Sequence, residues 1–351
     1  MSTVFRTYKR RWIYLLATCL VNFSNGNTWI TYSSITFYTN EFYDNANAAL
    51  FFNVIFLALS IPFHIGAWTN FIGNVIRFAG SGEWVPKNVR FPLSFAGQTV
   101  AAFAQPFVMF LPTKLAANWF PQDQRAIAST LSAMSNPVGI AVMYSVAPFI
   151  VNGSRPAAFP LLTGVCATLA TLTVFIALFI TRSKPATPVA PSRDSEIKIP
   201  PFLDGVKLCI RNKTYLVLAV CLGGGIGLFN TLYTNLQPTL CVIGYSPSFS
   251  GGVGTLLIMS GLIGAAIVGV YVDRTGSFEQ AMKLTFLMAG IAACSLAISV
   301  NYESEEGWVA ASIFLFGAFG FSVYPVGLEM GVEATFPVAE ATSTGLIIMM
   351  G

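Results

Sequence analysis

The sequence predicts an all-α integral membrane protein built as two transmembrane halves. Three observations predict it. Hydrophobic residues make up 54% and charged residues 10% of the 351 residues, against roughly a quarter charged in an ordinary soluble domain. The apolar residues fall into runs long enough to cross a hydrocarbon core, which takes about 20 residues of helix. Two segments of the first half are echoed in the second. In lipid every backbone amide must be satisfied within its own structure, and the runs show no strand-like alternation, so they read as helices.

The elements follow in order. Met1 to Arg11 is polar and basic, and the run after it, Trp12 to Tyr38, is too long for a signal-peptide core and has no cleavage site, so it reads as a retained first span. Further spans are predicted at 92–112, 127–151, 158–181, 215–237, 252–272, 282–300 and 308–328, with a ninth apolar stretch at 47–79. Gly345 to Gly351 is apolar to the last residue and reads as the beginning of another span, which predicts a fragment. The domains predicted are an N-terminal transmembrane half, 1–181, a cytoplasmic linker, 182–214, and a truncated C-terminal half, 215–351.

Basic residues near span ends set the orientation. Arg6, Lys9, Arg10 and Arg11 precede the first span with no acid among them, which places the N-terminus in the cytoplasm. The segment Arg182 to Thr214 carries seven basic residues against Asp194, Glu196 and Asp204, so it is expected on the same side; its Pro188, Pro191, Pro200 and Pro201 read as a flexible linker. The net charge of +4 is therefore spent on topology, and the chain shows no basic stripe interleaved with aromatics that would imply a nucleic-acid partner. Asn152-Gly153-Ser154 falls in a short external loop and matches a glycosylation acceptor. The cysteines at 19, 166, 209, 221, 241 and 294 show no paired spacing, so neither a disulfide framework nor a zinc site is implied.

The internal echoes are Tyr14–Leu20 with Leu216–Leu222, an offset of 202, and Trp119–Arg125 with Thr335–Ala341, aligned on Pro121 and Pro337, an offset of 216. Two-half construction is common in transporters. If both echoes hold, the first half lacks 14 residues between Leu20 and Pro121. The stretch 47–79, with no charged turn inside it, then reads as a fused pair of half-spans.

Several polar residues lie at membrane depth, where they normally face a cavity or another helix. Span one holds Asn22, Ser24, Asn25, Gly26, Asn27 and Thr28 ahead of Trp29; the first span of the second half holds four glycines with Asn230, Tyr233, Asn235 and Gln237. Corresponding first spans with this character predict a central cavity, although small residues and amides also serve helix packing. Gln98 and Gln105, seven apart, are expected on one face of one helix. Trp29 and Tyr233 offer ring faces to a cationic group. The turn Gly269 to Gly276 contains Asp273 and Arg274, an acid and a base placed to pair with helix ends and hold one of two states. Glu329 and Glu333 lie near the cytoplasmic end. His64, the only histidine, is expected to be packed. No nucleophile set, metal cluster or phosphate loop is present, so the sequence supports no enzyme activity and no cofactor.

These residues resemble a known family. Tyr8 to Trp12, Asn27 to Trp29, Gln98 through Gln105 to Pro112, Trp119-Phe120, Gly269 through Thr275, and Gly327 through Glu333 to Pro337 and Glu340 are similar to the feline leukaemia virus subgroup C receptor-related transporters, solute carrier family 49, of the major facilitator superfamily. Phe110 to Gly139 and Pro201 to Cys221 resemble most the A3 branch, also called major facilitator domain-containing protein 7. The resemblance implies twelve helices in two six-helix halves with alternating access, and a substrate class spanning choline or ethanolamine, haem and a vitamin. It also implies a tryptophan of helix one and a glutamine of helix four around the amine in choline-handling members; Trp29 and Gln105 match these. The family's tyrosine position is Asn230 here, with Tyr233 one turn on. A further glutamine would fall beyond Gly351. The charged turn between helices two and three is omitted between Phe63 and Gly66, so helix parity is expected to fail unless 47–79 enters and leaves on one face.

The reading from sequence is therefore a major facilitator fold with helices 2 and 3 fused or shortened and helices 11 and 12 truncated. It is expected to act as a monomeric, multi-pass transporter of a small organic solute in the plasma membrane, with Trp29, Gln105, Asn230 and Tyr233 as solute contacts and Asp273 and Arg274 as gating residues. The competing reading is a non-transporting, truncated or alternatively spliced chain that acts through partner binding.

Overall fold

A computed structural model of the chain describes residues 9–44, 63–105, 108, 111–112, 115–116, 119–151, 158–180, 200–302 and 305–351. The chain divides into two compact units, residues 1–191 and 192–351, each taken by itself below. Six helices are long and apolar enough to cross a membrane, among the described residues.

In the first unit α1 (Arg11–Ile30) is followed by a 3-10 turn (Ser33–Ile35) and α2 (Thr36–Phe42). The predicted first span thus breaks near residue 31 instead of running to 38. The carbonyls released at the break are taken up from within: Thr31 Oγ1 donates to the Asn27 carbonyl, Ser34 Oγ to Thr31, and Thr39 Oγ1 to Ile35. A helix can bend in an apolar setting only where its backbone groups are re-satisfied in this way.

Next come α3 (Phe63–Ser81), α4 (Lys87–Ala102), α5 (Gln122–Ile150) and α6 (Ala158–Ala177). Asn70 Nδ2 donates to Ser24 Oγ and Asn74 Nδ2 to Thr28 Oγ1, both at 3.0 Å and both 46 residues apart. Pairing that advances in step means that α1 and α3 run in the same direction. Phe63–Ser81 is a 19-residue helix of its own. The parity difficulty raised by treating 47–79 as one element does not arise for these two helices; residues 45–62 lie outside the described residues.

α4 returns antiparallel to α3 through small residues. A Cβ at Gly73 would come within 2.6 Å of the Gly97 carbonyl, one at Gly97 within 2.8 Å of the Arg77 amide nitrogen, and one at Gly80 within 2.7 Å of Ser94 Oγ. The backbones approach that closely because neither helix has a side chain there. α5 packs on α1, with Asn136 Nδ2 donating to the Asn22 carbonyl at 3.1 Å. At the end where α1 begins, Tyr14 stacks on Trp119 and a core forms with Leu15, Ala116, Phe120 and Ala128.

α4 ends at Ala102, before Gln105. The Ala104 amide bonds back to Ala101 in a tightened turn. Gln98 and Gln105 therefore do not share one continuous helix, although both are buried. His64, expected to be packed, is on an exposed side of α3, because the buried stripe of that helix is the one carrying Asn70, Asn74 and Arg77.

The second unit contains α7 (Phe202–Arg211), α8 (Lys213–Val242), α9 (Pro247–Thr275), α10 (Phe278–Ser299), α11 (Glu306–Thr335) and α12 (Glu340–Met349). α7 lies inside the stretch read from sequence as a flexible linker. It is helical because Pro201 opens it and its Gly205 and Cys209 are buried, with Gly205 close against Val338 and Thr342. Asn212 then caps α8, accepting from the Tyr215 amide while its Nδ2 donates to the Ala334 carbonyl at 2.7 Å. Tyr215 Oη donates to the Ser343 carbonyl at 2.6 Å. α9 and α11 pack through Gly261, Gly264 and Gly317.

Candidate functional site

The sequence-predicted solute contacts fall two in each unit. In the first, the buried face of α1 is polar: Thr18, Asn22, Ser24, Asn25, Asn27, Thr28 and Thr31 are all buried. Most are tied down locally. Asn22 Nδ2 donates to the Thr18 carbonyl at 3.1 Å, Asn27 Nδ2 to Phe23 at 2.9 Å and Thr28 Oγ1 to Ser24 at 2.8 Å. Asn25 is the exception: it is fully buried, and neither its Oδ1 nor its Nδ2 has a hydrogen-bond partner. Leaving a buried amide unmade costs about 1–3 kcal/mol. Trp29 stands one helical turn beyond Asn25 and packs against Ala101 and Ala102 of α4. Gln105 is buried just past that helix. Structure thus brings Trp29 beside the end of α4, next to an amide with unspent hydrogen-bonding capacity.

In the second unit, Tyr233 is buried and packs edge-on to Phe229, with ring centroids 5.9 Å apart, while Asn230 is half-buried. The Asn230 carbonyl accepts from Thr234 Oγ1 at 2.7 Å. Gln237 is fully buried, its Nε2 directed at Cys241 Sγ at 3.3 Å.

The predicted gating pair sits in the last turn of α9. Gly276 closes that helix in the left-handed region, φ 66°, with its amide bonded to the Val272 carbonyl at 2.8 Å. Arg274 is exposed and forms no ion pair among the described residues. Beside the same turn an open cavity of about 600 Å³ is lined by Gly276, Phe278, Glu279, Met330 and Glu333. Glu279 pairs with Lys283, both exposed. Asn152 lies outside the described residues.

Sequence reasoning passed over Arg77. It is the one Lys, Arg, Asp or Glu within Phe63–Ser81, and a charged residue inside an apolar helix is by itself a pointer to function. In the structure it is 0% exposed. Its guanidinium lies 4.7 Å from the centroid of the Tyr32 ring, and its Nη1 donates to Asn74 Oδ1 at 2.8 Å. Tyr43 joins this group, its Oη reaching Tyr32 Oη at 3.2 Å and donating to Ser94 Oγ at 3.0 Å. Among the described residues, no group of three or more His, Cys, Asp or Glu side chains is placed to hold a metal ion.

Comparison with known proteins accounts for this architecture. A family model described as Major Facilitator Superfamily matches residues 15–351. Solute carrier family 49 member A3 of Danio rerio is 35% identical over 368 aligned positions, covering 99% of this chain and 77% of the relative. The choline/ethanolamine transporter flvcr2a of Danio rerio is 25% identical, covering 97% and 77% respectively. Among solved structures, the xylose transporter XylE from E. coli, in a partially occluded inward-open conformation, superposes with a TM-score of 0.70 at 13% identity over 98% of this chain and 89% of that one; this likeness bears on fold alone. The relatives are transporters, and none of these matches is an enzyme. The chain belongs to the major facilitator superfamily of transporters and, within it, to solute carrier family 49.

Proposed function

We propose that the protein moves a small organic solute across a membrane by alternating access, with Trp29, Gln105, Asn230 and Tyr233 as solute contacts. The observation that carries this reading is the match to a transporter family from residue 15 to residue 351. The relatives named for choline and ethanolamine make an amine one candidate, alongside haem and vitamin-like solutes. Trp29 supplies a ring face for a cation, and Asn25 a buried amide for a polar group on the same solute. Asp273 and Arg274 act as a conformational latch at the end of α9. The chain is read as a monomer in the plasma membrane with its N-terminus in the cytoplasm, Arg10 and Arg11 holding that orientation.

Uptake by the full chain in proteoliposomes, measured across amine, vitamin and haem panels, tests the proposal. We expect one class to be transported and Trp29→Ala to reduce its uptake at least tenfold. Absence of transport for all three, with no difference between wild type and Trp29→Ala, would count against it.

A second reading is a chain that no longer transports and acts through partner binding. It rests on the alignment to the Danio rerio relative, whose 368 positions exceed the 351 residues here. At least 17 positions of that relative therefore face no residue of this chain. Sequencing the transcript across Phe63 to Gly66 separates the two, since a longer message would restore the missing turn.

A further inference from the structure

Arg77 carries a permanent charge, because a guanidinium does not lose its proton in proteins. Burying such a charge is costly unless an opposite charge and hydrogen bonds meet it. The hydrogen bonds are incomplete: Nη1 is used by Asn74, whereas Nε and Nη2 have no partner. Among the described residues no opposite charge pairs with it either. Among the described residues, the titratable groups that act on Arg77 are Tyr32, Cys166 and Tyr43, none of them a carboxylate. The ion pairs among the described residues, Lys207 with Asp204 and Lys283 with Glu279, both lie in the other unit.

Which donors are left over matters. Nε–H and Nη2–H point the same way along one edge of the guanidinium, the edge that receives a carboxylate through two parallel N–H···O bonds. Tyr32 lies over the flat face, its ring centroid 4.7 Å from the guanidinium, and its hydroxyl interacts with the cation without meeting the geometry of a hydrogen bond from Nε or Nη2. Asn74 cannot swing to fill it, because its own Nδ2 is held by Thr28 Oγ1 and the Asn70 carbonyl. Within the first unit, then, a cation is fixed from one side and from its face, with its two-pronged edge unspent.

We propose that this edge of Arg77 binds a carboxylate, brought by the transported solute itself or by a small free carboxylate held with it. The inference goes beyond the transport reading, since the site is complete without Trp29 or Gln105. It favours a solute with an acid group over a plain amino alcohol.

The test measures the melting temperature of the purified full chain in nanodiscs of neutral lipid. Sodium acetate is titrated at constant ionic strength against acetamide, its neutral isostere, and against sodium chloride. Acetate should raise the melting temperature saturably, acetamide and chloride should not, and Arg77→Gln should abolish the response. Should Arg77→Gln fail to fold, the acetate and acetamide comparison in the wild type decides alone. Betaine and choline, which differ by a carboxylate, then identify the source. Betaine acting at tenfold lower concentration than acetate, with choline inert, assigns the carboxylate to the solute; betaine equal to acetate assigns it to a free ion. Equal effects of acetate and acetamide, an acetate response kept in Arg77→Gln, or no response to either acetate or betaine would each overturn the proposal. None of these readouts depends on transport, so a chain that binds acetate but moves nothing keeps this inference and loses the other.

Discussion

Asn74 donates through Nδ2 to Thr28 Oγ1 at 3.0 Å and accepts through Oδ1 from Arg77 Nη1 at 2.8 Å. One side chain thus joins α1 to α3 and also orients the buried cation. Interhelical hydrogen bonds in membrane proteins contribute about 0.6 kcal/mol on average, up to about 1.7 kcal/mol. Thr28→Val should therefore destabilise the chain by about that amount. Asn74→Leu should cost more, because it also strips a buried guanidinium of its hydrogen bond to Oδ1. Denaturation of both single variants and the double variant measures the coupling. A double variant no worse than Asn74→Leu alone would show that the Thr28 contribution passes through Asn74.

The contact of α3 with α4 predicts a steric result. Gly73→Ala places a methyl 2.6 Å from the Gly97 carbonyl, with backbone and not a flexible side chain in the way. We expect Gly73→Ala to lower the melting temperature by several degrees, an overpacking cost of about 1–3 kcal/mol. Gly290, whose Cβ position meets no atom within 4 Å, is the control. Gly290→Ala should be neutral or slightly stabilising, as alanine is the better helix former.

Asn25 predicts opposite signs for stability and activity. If its unsatisfied amide is kept for a solute, Asn25→Ala removes a desolvation cost and should leave stability unchanged or raise it by about 1 kcal/mol. Uptake should fall at least tenfold. Thermal melts together with uptake decide; a variant that loses both stability and uptake would mark Asn25 as a packing residue.

Cys209 is fully buried on α7, and burial raises its thiol above the ordinary value. The sign follows from chemistry: the thiolate is the reactive form, burial disfavours it, so its share at neutral pH is smaller than for a free cysteine. Labelling by a hydrophilic maleimide at pH 7.4 should be at least tenfold slower at Cys209 in the folded chain than after denaturation, as read by mass spectrometry of the peptide. Gly205→Val, which presses on Val338 at the same contact, should lift α7 and restore labelling.

The left-handed turn at Gly276 and the neighbouring basic residue separate structure from gating. Gly276→Ala forces a side chain into φ 66°, a strain of about 1–2 kcal/mol, and should lower stability. Arg274 is exposed, so Arg274→Gln should leave the melting temperature unchanged. Under the latch reading it slows uptake several-fold with little effect on half-saturation; unchanged uptake removes Arg274 from the mechanism.

Several helices were legible as apolar runs of bilayer length. Predicted spans at 158–181, 282–300 and 308–328 correspond to α6, α10 and α11. The polar character of α1 was legible too, because five consecutive small or amide-bearing residues, Ser24 to Thr28, cannot all face lipid. What pattern alone did not disclose was breakage. Residues 12–38 look uniform to a hydropathy window, yet Thr31, Ser34 and Thr39 fold their hydroxyls onto carbonyls and permit a bend. α7 was hidden for the opposite reason. Its proline-flanked, charged sequence resembles a tether, and only burial of Gly205 and Cys209 against a distant segment fixes it. Arg77 stood in plain view as a lone charge, but its significance depends on which of its nitrogens are occupied, and that is a matter of three-dimensional contact.

The bend after α1 also has a consequence for how deep things lie. Twenty residues of helix span about 30 Å, so Tyr32 lies at the end of α1 away from the Tyr14–Trp119 stack. Arg77, stacked on Tyr32, therefore lies toward that same end. Aromatic rings surround this end: Tyr43 is hydrogen-bonded to Tyr32, and Phe42 stacks on Phe159 at 4.1 Å. The burial of that charge thus depends on a few rings and the short helix α2, a cover that a small local movement would lift.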